Sequence, residues 1–198
     1  MEVKPITLEG NFVRLVPMSL EHLDALCQAG LHENLWRFMP TPMHEREDMR
    51  KYIENALRLQ DGGSALPFVT IEKTSGETVG STRYLNIDHT HRRLEIGSTW
   101  IAPKWQRTGV NTGAKYLMLC HAFENLKCVR VEFKTDSMNT QSRKALTRIG
   151  AKEEGTLRNH MIMPDGRLRR SVYYSIIDSE WPEMKTRLEQ KMAQPGVR

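Results

Sequence analysis

One glycine-containing stretch has residue types that bind anions. Residues 103–114 read P-K-W-Q-R-T-G-V-N-T-G-A, which places Gly109 beside two threonines and the cationic residues Lys104 and Arg107. A helix that begins here turns several amide N–H groups outward, and its dipole favours negative charge. A diphosphate suits such a site, because each oxygen can accept from a different amide. A plain loop between a strand and a helix is the alternative, since a single glycine is a weak signal.

Two other groups of polar residues carry less chemistry. His89 and His91 have the spacing of a metal pair, but they lie in a polar turn without a third ligand, so we predict no metal site. Arg167, Arg169 and Arg170 form a basic run on a predicted hairpin. A solvated basic surface is the default for this run, with an acidic substrate or RNA as the alternatives.

Composition limits the class of protein. The chain has 198 residues, with 29 Lys and Arg against 24 Asp and Glu, and three cysteines in no metal-binding spacing, which we expect to be reduced. Charged and apolar residues are mixed throughout, which excludes disordered and membrane-spanning classes. The first ten residues lack the apolar core of a signal peptide, so we expect a cytoplasmic protein.

The positive charge lies in the second half of the chain. Residues 1–100 carry a formal charge of −3 and residues 101–198 carry +8, which together give the net +5. Nucleic acid, phospholipid or a phosphorylated cofactor would each suit a basic half, and so would a solvated surface.

The hydrophobic periods predict the elements that must position these residues. Their order is β-αα-βββ-α-β-α-ββ-α, an α+β class with one mixed, mostly antiparallel sheet of about seven strands flanked by helices on both faces. We expect a single domain over residues 1–198, with its core at about 10–188. The predicted strands are 11–16, 67–72, 78–85, 93–101, 129–135, 151–163 and 168–177, and the predicted helices are 19–30, 44–63, 109–126, 140–149 and 179–192.

Several stretches together resemble the GNAT acetyltransferase superfamily, in its branch of ribosomal-protein N-terminal acetyltransferases. Gln106 and Gly109 match the family's coenzyme A loop, Arg/Gln-x-x-Gly-x-Gly/Ala, whereas Asn111 stands where Gly or Ala is usual. A second family pattern matches residues 138–158 at Asn139, Ser142, Gly150, Ala151, Glu154, Gly155 and Arg158. The resemblance extends over about residues 10–188 and implies the GNAT fold.

The resemblance also implies a reaction and a donor. A primary amine would attack the thioester of acetyl-CoA directly in a ternary complex, with the α-amine of a protein or peptide N-terminus as the favoured acceptor and no metal. The residues that would bind acetyl-CoA are Ile101, Gln106, Arg107, Thr108, Gly109, Val110, Asn111, Thr112, Asn139 and Ser142.

Three residues are implied in catalysis, each with a plain structural alternative. Glu95 matches a carboxylate that the family uses as a base, but it could simply pair with Arg92 or Arg93 across a hairpin. His160 is a second candidate base, or an exposed hairpin histidine. Ser142 matches the hydroxyl that protonates the departing thiolate, and it also suits the first turn of a helix.

The acceptor and other partners stay open. Trp36 and Phe38 lie in an apolar loop that would line the acceptor pocket, with ordinary core packing as the alternative. A small amine such as an antibiotic, a polyamine or an amino acid could replace the protein N-terminus. A binding protein without catalysis, for nucleic acid, the ribosome or acyl-CoA, is an alternative of another class. We expect no membrane partner, nucleic acid is disfavoured, and a homodimer is left open.

Overall fold

The computed structural model describes residues 1–193, and its strands form one mixed sheet. The strands lie in the order β1-β2-β3-β4-β5-β6-β8-β7, and every neighbouring pair is antiparallel except β5 and β6. They are β1 (Leu8–Glu9), β2 (Val13–Pro17), β3 (Leu66–Glu72), β4 (Thr78–Asp88), β5 (Arg93–Ile101), β6 (Arg130–Asp136), β7 (Lys152–Ile162) and β8 (Leu168–Ile177).

The α+β class and the mixed sheet are confirmed, with one strand more than expected. The sheet has eight strands rather than about seven, because β1 adds a two-residue pairing at its edge. Two residues are too few to produce an alternating hydrophobic pattern, which explains why the sequence did not predict this strand.

Six α-helices accompany the sheet: α1 (Leu23–Gly30), α2 (Glu33–Trp36), α3 (Arg46–Asp61), α4 (Gly109–Cys120), α5 (Thr140–Arg148) and α6 (Trp181–Met192). The helix predicted over 109–126 is α4 followed by a π-helical turn, His121–Asn125. The short α2 lies in a segment that was expected to be irregular. Among the described residues, no helix is long and apolar enough to cross a membrane.

The helices cover both faces of the sheet and give two hydrophobic cores. Phe68 faces the core under α4 and α6, and the next residue, Val69, faces the core under α1 and α3. This alternation follows the two-residue period of a strand. A fully buried side chain of this size contributes about 1.5–3 kcal/mol to folding, so both layers hold the central strands firmly.

The two parallel strands separate soon after they meet. β5 and β6 pair at Arg93 with Arg130, Leu94 with Val131 and Glu95 with Glu132. Beyond this point β5 continues to Ile101 and β6 to Asp136, but the two strands no longer pair. The sheet therefore contains a wedge-shaped gap that begins at Glu95 and widens toward the end of β5.

Candidate active site

A β-bulge on β5 lies along the gap. Ser98 and Thr99 together oppose the single residue Thr82 of β4, and Ser98 has a φ of 45°, in the left-handed region. Tyr52 of α3 holds this bulge, since its hydroxyl donates to the Ser98 carbonyl at 3.4 Å and contacts the Ser81 hydroxyl at 3.1 Å. A bulge redirects the backbone and the side chains near it, so this part of β5 is shaped differently from an ordinary strand.

The predicted anion-binding loop lies at the wide end of the gap. Gln106 donates from Nε2 to the Ile101 carbonyl at 3.1 Å, which joins the loop to the end of β5. Thr108 caps α4 by accepting from the Val110 amide at 3.3 Å. Within residues 1–193, the amides of residues 107–109 have no hydrogen-bond acceptor. These amides and the start of α4 provide the donors that a diphosphate requires.

The side chains around the loop differ in whether they already have an ion-pair or hydrogen-bond partner. Lys104, expected beside the anion, pairs instead with Glu77 at 2.8 Å. Arg107 is exposed, has a φ of 64°, and forms no ion pair among the described residues. Asn111 is half-buried, and its Oδ1 has no partner in the described part of the chain. Thr112 follows in the first turn of α4. Arg107 is thus the charge that stays available for a ligand.

Asn139 and Ser142 lie together at the start of α5. The Asn139 side chain accepts from the Ser142 amide at 3.0 Å and caps the helix. Ser142 is half-buried, and its hydroxyl has no partner among residues 1–193. Because α5 follows β6 directly, both residues lie near the β6 side of the gap.

Glu95 lies at the narrow end of the gap and is buried, with 3% of its surface exposed. Its Oε2 accepts from Asn86 Nδ2 at 2.9 Å and lies 3.4 Å from Lys134 Nζ. The alternative pairing with Arg92 or Arg93 is therefore not what the structure contains. The neighbouring Gly97 leaves room for the carboxylate, since a Cβ there would lie 2.8 Å from Glu95 Oε1.

His160 reaches the same region from the other edge of the sheet. Its Nδ1 lies 2.9 Å from the Ser171 hydroxyl, and its ring packs edge-on against Tyr173 at 5.8 Å. Lys134 Nζ also lies 5.8 Å from the centre of the Tyr173 ring. Burial and then the charges of Lys134 and Arg169 lower the pKa of His160, against an opposing effect of Glu95. Its imidazole is therefore neutral at pH 7 and can accept a proton.

The basic run at the start of β8 does not form a shared surface. Arg167 pairs with the buried carboxylate of Asp136 at 2.6 Å. Arg169 is buried and donates to the Ser171 hydroxyl at 3.0 Å and to the Phe38 carbonyl at 3.2 Å. Only Arg170 of the three is exposed. Two of the three arginines therefore hold the fold together, and Arg169 fixes the early loop against β8.

The two predicted acceptor residues differ in burial. Trp36 is 3% exposed, packs against Trp100 at 5.5 Å, and donates from its indole nitrogen to the Gly30 carbonyl at 2.8 Å. Phe38 is half-buried, and its backbone is held by Arg169 near the Ser171 and His160 side chains. Phe38 is therefore the member of the pair that lies beside the candidate site.

Sequence reasoning did not identify the two side chains that hold Glu95. Asn86 lies in a bulge of β4 with a φ of 49°, and Lys134 reaches Glu95 from the adjacent β6. An asparagine in a strand pattern is a signal for positive φ, but the partner strand is not visible in the sequence. Among residues 1–193, no cluster of three potential metal ligands is present.

Comparison of the sequence with known protein families identifies the family of this chain. Residues 13–152 match the family described as the acetyltransferase (GNAT) domain. The chain belongs to this family. It is thus a GNAT-family N-acetyltransferase, and the GNAT fold predicted from the sequence is confirmed.

Relatives agree over nearly the whole chain. An uncharacterised N-acetyltransferase, p20, of Bacillus licheniformis is 29% identical over 88% of this chain and 98% of its own length. The crystal structure of a GCN5-related N-acetyltransferase from Brucella melitensis is 29% identical, with a TM-score of 0.90, covering 99% of this chain and 91% of that one. Mycobacterium smegmatis RimJ, in complex with CoA-disulfide, is 27% identical, with a TM-score of 0.82, covering 94% of this chain and 95% of its own.

Proposed function

We propose that this GNAT N-acetyltransferase transfers the acetyl group of acetyl-CoA to the α-amine of a protein N-terminus. The observation that carries the proposal is that two sets of residues lie along the same gap. A loop with free amides and Arg107 lies at its wide end, and Glu95 with Lys134 lies at its narrow end. His160 lies farther along the gap, beside Ser171, which pairs with the last residue of β6, Asp136. The similarity to RimJ, whose crystal structure contains CoA-disulfide, supports the choice of donor.

The residues along the gap fit a long donor with phosphates at one end. The unbonded amides of residues 107–109 and the start of α4 would hold the diphosphate, with Arg107 supplying charge. The β5 backbone from Glu95 to Ile101 does not pair with β6 beyond Glu95, so it could bind the amides of the pantetheine arm as a peptide adds to a sheet edge. Acetyl-CoA supplies the reactive thioester carbonyl, and a backbone amide of this strand would stabilise the oxyanion.

The acceptor amine must be neutral before it attacks. An α-amine with a pKa near 8 loses its proton at pH 7 at a cost of about 1.4 kcal/mol, whereas a lysine near 10.4 costs about 4.6 kcal/mol. A histidine whose pKa is below its ordinary value is a weak base. Such a base suits the α-amine, because little driving force is needed, and suits a lysine poorly.

The polar groups along the gap would have separate roles in binding and deprotonating the acceptor. The buried Glu95 carboxylate would attract the ammonium form of the acceptor, and Asn86 and Lys134 fix its orientation. His160 would then take the proton at its imidazole, directly or through water, while Ser171 holds the ring. The assignment of Ser142 as proton donor to the thiolate stays a prediction.

A panel of acceptors tests this proposal. Thiol release from acetyl-CoA would be measured with peptides that carry a free N-terminus, with the same peptides blocked at the N-terminus but containing lysine, and with polyamines. We expect release only with free N-termini, and mass spectrometry should find one acetyl group on the first residue. Equal release with blocked peptides or polyamines would assign the enzyme to another amine class.

A further inference from the structure

A lysine that the proposed mechanism does not use is buried beneath the gap. Lys115 of α4 is 5% exposed, and its Nζ donates to the Thr99 hydroxyl at 2.7 Å. Its Nζ also lies 5.8 Å from the ring centre of Phe133. Among residues 1–193, no carboxylate lies within 4.0 Å of this amine. A cation in such surroundings has lost its water without gaining a counterion.

Lys115 lies near both strands that border the gap, β5 and β6. Thr99 is the second residue of the β5 bulge, and Phe133 is the first residue of β6 after its last pairing with β5. The ammonium group therefore lies under the unpaired part of the gap, in contact with β5 four residues beyond its last pairing and beside the residue of β6 that follows its last pairing. It approaches from the α4 side, opposite to the surface that carries Glu95 and His160.

The order of groups along β5 indicates which part of a donor would meet Lys115. Ile101 contacts the anion-binding loop through Gln106, and Glu95 lies at the acceptor end. Thr99 lies between them. Because β5 and β6 run in parallel from the pair of Glu95 with Glu132, Thr99 is about level with Asp136, which pairs with Ser171, the partner of His160. A thioester at this level would have its carbonyl carbon near His160 and its sulfur near Thr99 and Lys115.

Lys115 is suited to proton transfer at this position. Burial lowers the pKa of Lys115 to about 7, and the charge of Glu95 opposes this effect only in part. The ammonium and the neutral amine are then similar in free energy at neutral pH, which is the condition for an efficient general acid. An ordinary exposed lysine, with a pKa near 10.4, would hold its proton much more strongly.

We propose that Lys115 is a catalytic residue that contacts the donor sulfur and protonates it as coenzyme A departs. As the acceptor nitrogen bonds to the carbonyl carbon, the C–S bond breaks and its electron pair stays on sulfur. One proton passes from the Lys115 ammonium to sulfur, which leaves a thiol and a neutral amine. The acceptor nitrogen loses two protons in all, one before it attacks and one after it has bonded to the carbonyl carbon, and His160 passes each of them to solvent. Lys115 regains one proton from solvent, so one proton is released overall and the charges balance. This inference rests on the proposed use of acetyl-CoA.

The ionisation of bound coenzyme A tests this contact without turnover. The thiolate absorbs in the ultraviolet, and the complex with desulfo-CoA serves as the blank for the titration. Free coenzyme A, titrated under the same conditions, gives the reference midpoint. We expect a lower midpoint for coenzyme A bound to the unaltered enzyme, because the ammonium stabilises the thiolate. In Lys115→Met the midpoint should rise to or above the free value, whereas Lys51→Met, at an exposed position on α3, should leave it unchanged.

Turnover separates proton donation from a purely electrostatic role. We expect Lys115→Met to lower kcat about 100-fold, the usual range for loss of a general acid. Lys115→Arg keeps the charge but cannot release a proton, so the low thiol midpoint should persist while kcat falls. Thermal unfolding of each variant checks that it folds. If Lys115→Met does not fold, Lys115→Arg is used to test the proposal.

Each outcome bears on one proposal. An equal thiol midpoint in the unaltered enzyme and in a folded Lys115→Met would overturn the contact with sulfur. Full turnover in Lys115→Arg would overturn the proton transfer. A large loss of kcat in Ser142→Ala, with none in Lys115→Met, would assign the acid to Ser142 instead. Failure of the unaltered enzyme to bind coenzyme A would remove the proposed function itself, and this inference with it.

Discussion

Glu95 is a buried carboxylate whose neighbours balance its charge. Lys134 lies 3.4 Å from it, and Asn86 donates to it at 2.9 Å. A carboxylate with this exposure persists because these two partners replace the lost water. The same two contacts leave one oxygen, Oε1, directed past Gly97, where an acceptor ammonium could be received.

The change Glu95→Gln tests this role. Glutamine keeps the size and can still accept from Asn86, but it removes the negative charge that would attract the acceptor. We expect kcat/KM to fall about 10²- to 10⁴-fold, while coenzyme A binding persists. Glu132→Gln is a matched control, since Glu132 pairs with Glu95 in register on β6 and is engaged by Arg130 and Arg93. Comparable turnover in both variants would remove Glu95 from the mechanism.

The pKa of His160 provides a second test at this scale. Burial disfavours its charged form, and Lys134 and Arg169 repel a proton, so the imidazole titrates below its ordinary value of 6.5. NMR titration should find this low midpoint in the free enzyme. Removal of one repelling charge in Lys134→Met should raise it, and Lys51→Met should not. A midpoint that is unchanged in Lys134→Met would show that Lys134 does not control this histidine.

The residues of the site were only partly predictable. The loop residues Gln106 and Gly109 follow from a local motif, because a loop and the helix after it are neighbours in the chain. The partners of Glu95 do not, because Asn86 and Lys134 reach it from two other strands. Lys115 did carry a signal, since it lies among the apolar residues of α4 at the spacing of the buried Met118 and Leu119.

At the scale of elements, three bulges aim polar side chains at the gap. Ser98 and Thr99 form one on β5, and Asn86 lies in one on β4. On β7 the register slips between Leu157 and Met161, with Asn159 at a φ of 50°, and this irregularity brings His160 to Ser171. Bulges occur next to active sites for this reason. Each depends on the register with a partner strand, which a single sequence does not specify.

The boundaries of elements followed the sequence where strong local signals exist. The strands predicted at 93–101 and 168–177 have those bounds in the structure. The predicted helix over 109–126 did not continue as one α-helix, since a π-helical turn begins at His121. The wider hydrogen bonding of that turn depends on tertiary packing around Phe123 and Trp181, which stack at 5.4 Å. No local pattern encodes it.

At the scale of the molecule, the ion pairs show how the positive charge of the second half of the chain is used. Much of its charge is used internally, as in the pairs of Arg130 with Glu154 and Arg143 with Glu153. Arg167 is likewise held by Asp136. A contiguous surface for nucleic acid therefore gains little from these residues, and the charge that stays available near the loop becomes more important. Arg107 is that charge.

Coenzyme A should stabilise the whole chain through this loop. A ligand at 100 times its dissociation constant adds about 2.7 kcal/mol, and a chain of this size gains about 2–4 °C in Tm per kcal/mol. We therefore expect saturating coenzyme A to raise Tm by about 5–10 °C in a thermal unfolding experiment. In Arg107→Ala the loss of one phosphate contact at an exposed position should weaken binding about 3- to 10-fold, which reduces the shift at the same concentration.

The matched control is Arg148→Ala, an exposed arginine in the last turn of α5. Removal of that charge lowers the net charge equally, so a general electrostatic effect would reduce the shift in both variants, whereas a specific phosphate contact would reduce it in Arg107→Ala alone. Equal shifts in the two variants would exclude Arg107 from the donor site. No shift in the unaltered protein at millimolar coenzyme A would be inconsistent with acetyl-CoA as the donor, whatever the charge of the loop.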